Sequence, residues 1–167
     1  QVNSVTDQSL RMVRRLTSLG KEFDFKLHLF GVSTPPILYV FDRLGVHSFD
    51  SMAWMKAAGF GNVFLPLMRG YMVTYRIYDR THTYQENFEY IKELTGHRCP
   101  FCENFADLVN NRMSRIMHNL TCVMDTLDIL SYGTNGSGNY ARQFTTTDIM
   151  RVVREASPSY IRYYETL

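Results

Sequence analysis

Hydrophobic residues recur at helical spacing near the start of the chain. Over residues 5–19 apolar side chains are three positions apart, at Leu10, Val13, Leu16 and Leu19. This spacing predicts an amphipathic helix, which Gly20 is expected to end. A second helix is predicted from Pro35 to Gly45, because Thr34 can cap it and proline is favoured in the first turn.

Two short segments have the apolar character of strands. The pattern predicts a buried strand over residues 25–30, ended by Gly31, and a second strand over residues 46–51. The order is then helix, strand, helix, strand, which is typical of α/β proteins with a parallel sheet. We therefore predict an α/β fold.

The rest of the chain is predicted to be mainly helical. Residues 52–80 carry scattered glycines, which predicts loops and short strands, and a helix is predicted over residues 84–95. A long helix is predicted next, from an apolar stripe at helical spacing formed by Met113, Ile116, Met117, Leu120, Val123, Met124, Leu127 and Leu130. Residues 132–139 have the composition of a linker, and a last helix is predicted over roughly residues 147–156.

Three units are predicted along the chain. Residues 1–60 hold the strand-and-helix units, residues 61–131 a metal subdomain with the long helix, and residues 132–167 a linker, a helix and an aromatic tail. The formal net charge of +2 is too small to indicate nucleic acid by itself. No apolar run reaches the roughly 18 residues that cross a bilayer, and the first residues are polar, so we expect neither a membrane span nor a signal peptide.

Candidate metal ligands cluster around a pair of cysteines. His97, Cys99 and Cys102 lie within six residues, and His118 follows on the long helix. Two thiolates and two imidazoles form a tetrahedral set that suits Zn²⁺. A redox pair or two core cysteines are alternatives for the C-x-x-C segment, and Cys122 is interpreted as a core residue. Because the chain shows no secretory signal and its cysteines do not suggest a disulfide framework, we expect a reducing, cytoplasmic compartment.

The ends of the two predicted strands carry candidate catalytic and binding residues. Asp50 ends the second strand, and at the mouth of a (β/α)₈ barrel such a carboxylate can attack the anomeric carbon of a sugar. Phe30 could stack on a planar base, and Gly31 would allow close approach of a ligand. Taken alone, each has an ordinary alternative: a turn aspartate, a core phenylalanine and a strand-end glycine.

Four segments together resemble the tRNA-guanine transglycosylase family. They occur in the family's order: LHLFGVSTPP from Leu27, GVHSFDS from Gly45, HRCPFC from His97 and MHNL from Met117. The resemblance covers roughly residues 10–130. It implies the C-terminal part of a (β/α)₈ TIM-type barrel with an inserted zinc-binding subdomain.

The resemblance also implies roles for individual residues. Asp50 matches the nucleophile that attacks C1′ of the target nucleotide, and Phe30 and Gly31 match positions that lie against the base. Cys99, Cys102 and His118 match three zinc ligands. The implied reaction exchanges a guanine in tRNA or DNA for a 7-deazaguanine base through a covalent aspartyl–nucleotide intermediate.

The sequence also departs from the family pattern. His97 stands where the family has a zinc cysteine, and the residues after Asp50 are nearer to relatives that modify DNA. A complete barrel needs about 250 residues. A second chain or a missing N-terminal half is therefore expected to complete the barrel and to supply the general acid/base. A non-catalytic zinc-bearing nucleic-acid-binding or scaffold subunit and a zinc module of an unrelated α/β enzyme are the alternatives.

Overall fold

The structure of the chain is a computed structural model that describes residues 7–32, 34–74, 81–136, 142–156 and 158–164. Its helices are α1 (Asp7–Phe23), α2 (Pro35–Leu44), α3 (Ala53–Gly59), α4 (Thr81–Thr95), α5 (Phe105–Asn110), α6 (Arg112–Tyr132), α7 (Thr146–Ala156) and α8 (Ile161–Tyr164). A 3-10 turn at Pro158–Tyr160 precedes α8. Its strands are β1 (His28–Phe30), β2 (Ser48–Asp50), β3 (Asn62–Leu65) and β4 (Met68–Met72).

The strands form two small sheets. β1 pairs with β2 in parallel, with Phe30 opposite Asp50, whereas β3 pairs with β4 as an antiparallel hairpin. The predicted mixed α/β class is confirmed, and the described residues contain no closed barrel. None of the helices within these residues is long and apolar enough to cross a membrane.

Helix α2 anchors the main core. All its residues from Pro35 to Phe41 are buried, because the run of apolar side chains packs on every side. Thr34 precedes the helix in an extended conformation but makes no capping hydrogen bond through its side chain, which instead bonds with Tyr160. Gly45 ends the helix with φ of 84°, a left-handed conformation that favours glycine.

Gly20 does not end the first helix as the sequence pattern predicts. Helix α1 continues to Phe23, and the chain then folds back so that the amide of Phe25 donates a hydrogen bond to the Gly20 carbonyl across 3.0 Å. A Cβ at Gly20 would lie 2.7 Å from the carbonyl oxygen of Phe25. The glycine is therefore required by close packing of the backbone.

Two short helices were not predicted. Helix α3 lies in residues 52–80, where loops and short strands were expected, and only the β3–β4 hairpin of that region agrees with the prediction. Residues 75–80 lie outside the described part of the chain. Helix α5 is six residues long, and Asn104 caps it by accepting a hydrogen bond from the amide of Ala106. Elements this short carry too few positions for a helical period to emerge.

The long helix that the apolar stripe predicts is present as α6, but most of the stripe is not buried. In α6 the side chains of Met113, Met117 and Met124 are exposed, by 61%, 36% and 52%, and of the predicted stripe only Val123 is buried. The face of α6 that points inward is largely polar. Its buried residues are Arg115, His118, Asn119, Cys122, Val123, Asp125, Thr126 and Ile129.

This polar face is inside because it satisfies the free edge of β3. Oδ1 of Asn119 accepts a hydrogen bond from the amide of Phe64 across 2.7 Å, and its amide nitrogen donates to the carbonyls of Trp54 and Asn62 at 2.9 and 3.1 Å. Two turns further along α6, Oγ1 of Thr126 accepts a hydrogen bond from the amide of Leu67 across 3.3 Å. Side chains of a helix thus occupy hydrogen-bonding positions that a further strand would fill.

We predict that Asn119→Ala destabilises the fold far more than Met124→Ala. Loss of the carboxamide removes the side-chain partner of the buried Phe64 amide and of the Asn62 carbonyl, which should lower the free energy of unfolding by about 2–4 kcal/mol. Truncating exposed Met124 should change it by no more than about 0.5 kcal/mol. Urea unfolding followed by circular dichroism measures both values. The reverse order of the two losses would mean that the apolar stripe faces the core.

Candidate functional site

A cluster of four candidate metal ligands lies between the C-terminal end of α4 and the first half of α6. The loop after α4 contributes His97, Cys99 and Cys102, and α6 contributes His118. The four ligand atoms lie within 4.8 Å of one another, and all four residues are buried. The structure therefore brings together all four residues that the sequence suggested.

The separations and the donor set suit zinc. The sulfur atoms of Cys99 and Cys102 are 3.5 Å apart, and Sγ of Cys99 is 3.3 Å from Nδ1 of His118. Ligand atoms of a tetrahedral ion with bonds of 2.0–2.3 Å lie roughly 3.3–3.8 Å apart. Two sulfur and two imidazole donors could hold a metal such as zinc.

The local backbone presents the two thiols to the same point. Gly96 adopts a left-handed conformation with φ of 64° directly after α4, and the amide of His97 donates back to the carbonyl of Lys92. The amide of Cys102 donates to the carbonyl of Cys99 across 3.2 Å and closes a turn between them. The turn holds the two sulfur atoms 3.5 Å apart.

Each imidazole is oriented by a hydrogen bond on its other ring nitrogen. Nδ1 of His97 lies 2.7 Å from Oδ2 of Asp125, and Nε2 of His118 lies 2.9 Å from the carbonyl oxygen of Phe64. A carbonyl and a carboxylate only accept, so these nitrogens carry the protons. The lone pairs are then on Nε2 of His97 and Nδ1 of His118, which is the arrangement found where histidines bind metals.

The two thiols of the C-x-x-C segment are electrostatically unequal. The Cys99 thiol donates a hydrogen bond to Sγ of Cys102, which lowers the pKa of Cys102 to about 2 and raises the pKa of Cys99 to about 11. Cysteine binds zinc as a thiolate, so metal binding is expected to release protons from this pair.

Cys122 lies beside this group but is not one of the four. It is fully buried, and its sulfur donates a hydrogen bond to the carbonyl of Phe64 across 3.3 Å. The same sulfur is 3.6 Å from Nε2 of His97 and 3.5 Å from Nε2 of His118. The sequence interpretation treated Cys122 as core and did not anticipate its contact with both imidazoles.

Asp125 is a second residue that the sequence interpretation missed. The sequence did contain a pattern that indicates Asp125: His118, Cys122 and Asp125 are spaced by four and three residues, so they share one helix face. The more regular pattern of the helix is the apolar stripe on the opposite face, which carries no ligands. The carbonyl of Phe64 could not be anticipated, since it reaches the site through tertiary packing.

The second candidate site lies at the ends of β1 and β2. Asp50 and Phe30 are register partners, and Oδ1 of Asp50 accepts a hydrogen bond from the amide of Gly31 across 3.2 Å. The structure thus brings Asp50, Phe30 and Gly31 together. Asp50 is exposed, and the ring of Phe30 is 79% exposed.

The outward face of this small sheet carries a further polar pair. His28 is the register partner of Ser48, and Nδ1 of His28 lies 2.9 Å from the Ser48 hydroxyl. Side chains two residues apart on a strand share a face, so this pair lies on the same face of the sheet as Phe30 and Asp50. The rings of His28 and Phe30 are in edge-to-face contact, with their centroids 4.4 Å apart. The sequence interpretation gave neither residue a functional role.

We predict that the chain binds one zinc ion and that His118→Ala weakens zinc binding by more than about a hundredfold. Loss of a residue that only hydrogen-bonds to a metal ligand lowers metal affinity by up to about a hundredfold, and loss of a ligand itself should lower it further. Competition with a chromophoric chelator measures the affinity, and elemental analysis gives the stoichiometry.

The matched control is Cys122→Ala. It removes a sulfur that touches both imidazoles but is outside the group of four, so zinc should be retained at one ion per chain. Undiminished zinc in the His118→Ala protein would show that His118 is not a ligand.

Comparison of the chain with known proteins does not assign it to a family. Neither protein-family models, nor curated proteins, nor solved structures give a significant match.

Proposed function

We propose that this chain is the nucleophile- and zinc-bearing part of a guanine transglycosylase, which exchanges guanine in DNA or tRNA for a 7-deazaguanine base. The observation that carries the proposal is the group formed by Asp50, Gly31 and Phe30 at neighbouring ends of two parallel strands. A carboxylate, a backbone amide and an exposed aromatic ring meet there in a few ångströms of surface.

The carboxylate of Asp50 supplies the nucleophile. One oxygen is held by the Gly31 amide, which leaves the other free to attack C1′ of the target nucleotide. As the new C1′–O bond forms, the C1′–N9 bond breaks and the electron pair goes to the departing guanine, which takes a proton from an acid outside this chain. The incoming base then gives its N9 proton to that same group, which is now deprotonated, attacks C1′ and displaces the Asp50 carboxylate.

Phe30 supplies a stacking surface for the base. Its ring is largely exposed and lies opposite the nucleophile in the strand register. Base–aromatic stacking contributes about 1–3 kcal/mol per base and tolerates different bases. That tolerance suits a site that must accept one purine-like base after another.

The uncovered face of the small parallel sheet favours the proposal that this chain is part of a larger barrel. Leu29 and Phe49 pack against the core, whereas His28, Phe30 and Asp50 on the opposite face are exposed in the described part of the chain. Parallel sheets are normally covered on both faces, and a lone pair of strands is only marginally stable. Further strands from a second chain or a preceding segment would complete the proposed (β/α)₈ barrel and place Asp50 at its mouth.

The metal has a structural role in this proposal. Four protein ligands fill a tetrahedral zinc shell and leave no position for water or substrate. The ion would join the loop after α4 to α6, and through His118 and Phe64 to β3. Zinc would thereby stiffen the support of the sheet without taking part in the chemistry.

We predict that Asp50→Asn abolishes base exchange while nucleic-acid binding persists. The amide keeps the shape of the side chain and an acceptor for Gly31, but it cannot form the covalent intermediate, so exchange should fall about a thousandfold or more. The experiment combines the chain with the polypeptide that completes the barrel. It follows release of labelled guanine from duplex DNA and from tRNA, and denaturing gels reveal the trapped adduct.

Asp42→Asn is the matched control, because Asp42 is an exposed aspartate on α2 away from the strand ends. It should leave both adduct and exchange unchanged. If Asp50→Asn forms as much covalent adduct as the wild-type chain, Asp50 is not the nucleophile. Binding of nucleic acid without any exchange by the wild-type assembly would favour the non-catalytic, zinc-bearing scaffold subunit.

A further inference from the structure

We propose that Asp125 is a positioning residue for the metal centre, which fixes His97 so that the ring binds the ion through Nε2. The inference rests on the zinc site proposed above and extends it to a residue outside the four ligands. It assigns to Asp125 a role in metal affinity and coordination geometry beyond its contribution to packing.

The first support is the placement of the carboxylate. Asp125 is 3% exposed, and its Oδ2 lies 2.7 Å from Nδ1 of a fully buried imidazole. Burying a carboxylate costs several kcal/mol unless charge and hydrogen bonds offset it. A cation bound on the far side of the ring polarises the Nδ1–H group and attracts the carboxylate, which provides that offset.

The second support is the difference between the two histidines. The ring of His118 is held at both ends by α6 itself and by the carbonyl of Phe64 in β3. His97 lies on a loop between two helices, where nothing in the secondary structure sets the rotation of its ring. The carboxylate on α6 ties that ring to the same helix that supplies His118, so one helix orients both imidazoles.

The third support is the spacing along α6. His118 and Asp125 are seven residues apart, which is two turns, and both side chains project to the buried face. Because Asp125 and His118 lie on the same rigid helix, they hold the metal-binding nitrogens of the two histidines at a fixed distance from each other. Outer carboxylates of this kind typically account for 10–100-fold in metal affinity.

The experiment compares Asp125→Ala, Asp125→Asn and wild type in the full chain. Asn keeps an acceptor oxygen for Nδ1–H but has no charge, so we expect zinc affinity to fall about tenfold in Asp125→Asn and up to about a hundredfold in Asp125→Ala. Zinc affinity is measured by chelator competition. Cobalt substitution gives the second readout, because its visible and thiolate charge-transfer bands report the ligand geometry. We expect these bands to shift and broaden in Asp125→Ala and to be restored in part in Asp125→Asn.

The control is Thr126→Val, which removes two buried hydrogen bonds, from the Leu67 amide and to the Cys122 carbonyl, at the next residue of the same helix. It should lower the free energy of unfolding but leave zinc affinity within about twofold and the cobalt spectrum unchanged. If Asp125→Ala does not fold, the nearly isosteric Asp125→Asn carries the comparison with Thr126→Val.

The outcomes separate the two proposals. A wild-type chain that binds no zinc would overturn the zinc site itself and this inference with it. A wild-type chain that binds zinc, with equal affinity and an unchanged cobalt spectrum in the Asp125 variants, would overturn only the positioning role. Equal loss of affinity in Thr126→Val would show that Asp125 acts through stability alone.

Discussion

The structure depends on the contact between the polar face of α6 and the unpaired edge of β3. Asn119 bonds to the amide of Phe64, and His118 and Cys122 both donate to its carbonyl. A strand edge buried without partners would cost several kcal/mol, so the helix has to turn hydrogen-bonding groups inward. That requirement overrides the usual rule that the apolar side of a helix is buried, and it leaves three methionines in solvent.

The candidate metal centre is an extension of this same contact. His118 uses one ring nitrogen on Phe64 and presents the other to the cysteines, so a single side chain connects the hairpin, the helix and the metal loop. An ion bound there would add a further link between segments that already share one cluster of buried apolar side chains. Fold and site are therefore coupled, since the residue that orders the strand edge is also a candidate ligand.

The strand-end group has a different physical basis. Asp50 and Phe30 meet because β1 and β2 are parallel and in register, which places the ends of both strands at one edge of the sheet. Such an edge is where α/β proteins bind ligands, because loops and strand ends converge there. The exposed face formed by His28, Phe30 and Asp50 is unusual for a parallel sheet, and it is the basis of our proposal that further strands cover it.

The sequence alone determined the main helices, the parallel strand order and the identity of the four candidate metal ligands. These follow from local periodicity, from capping residues such as Gly45 and from the short spacing of His97, Cys99 and Cys102. Tertiary structure alone decided which face of α6 is buried, why Gly20 is a glycine and which atoms orient the imidazoles. Those outcomes depend on backbone groups distant in sequence, namely the Phe64 amide and carbonyl and the Phe25 carbonyl, and a one-dimensional pattern of side chains carries no information about them.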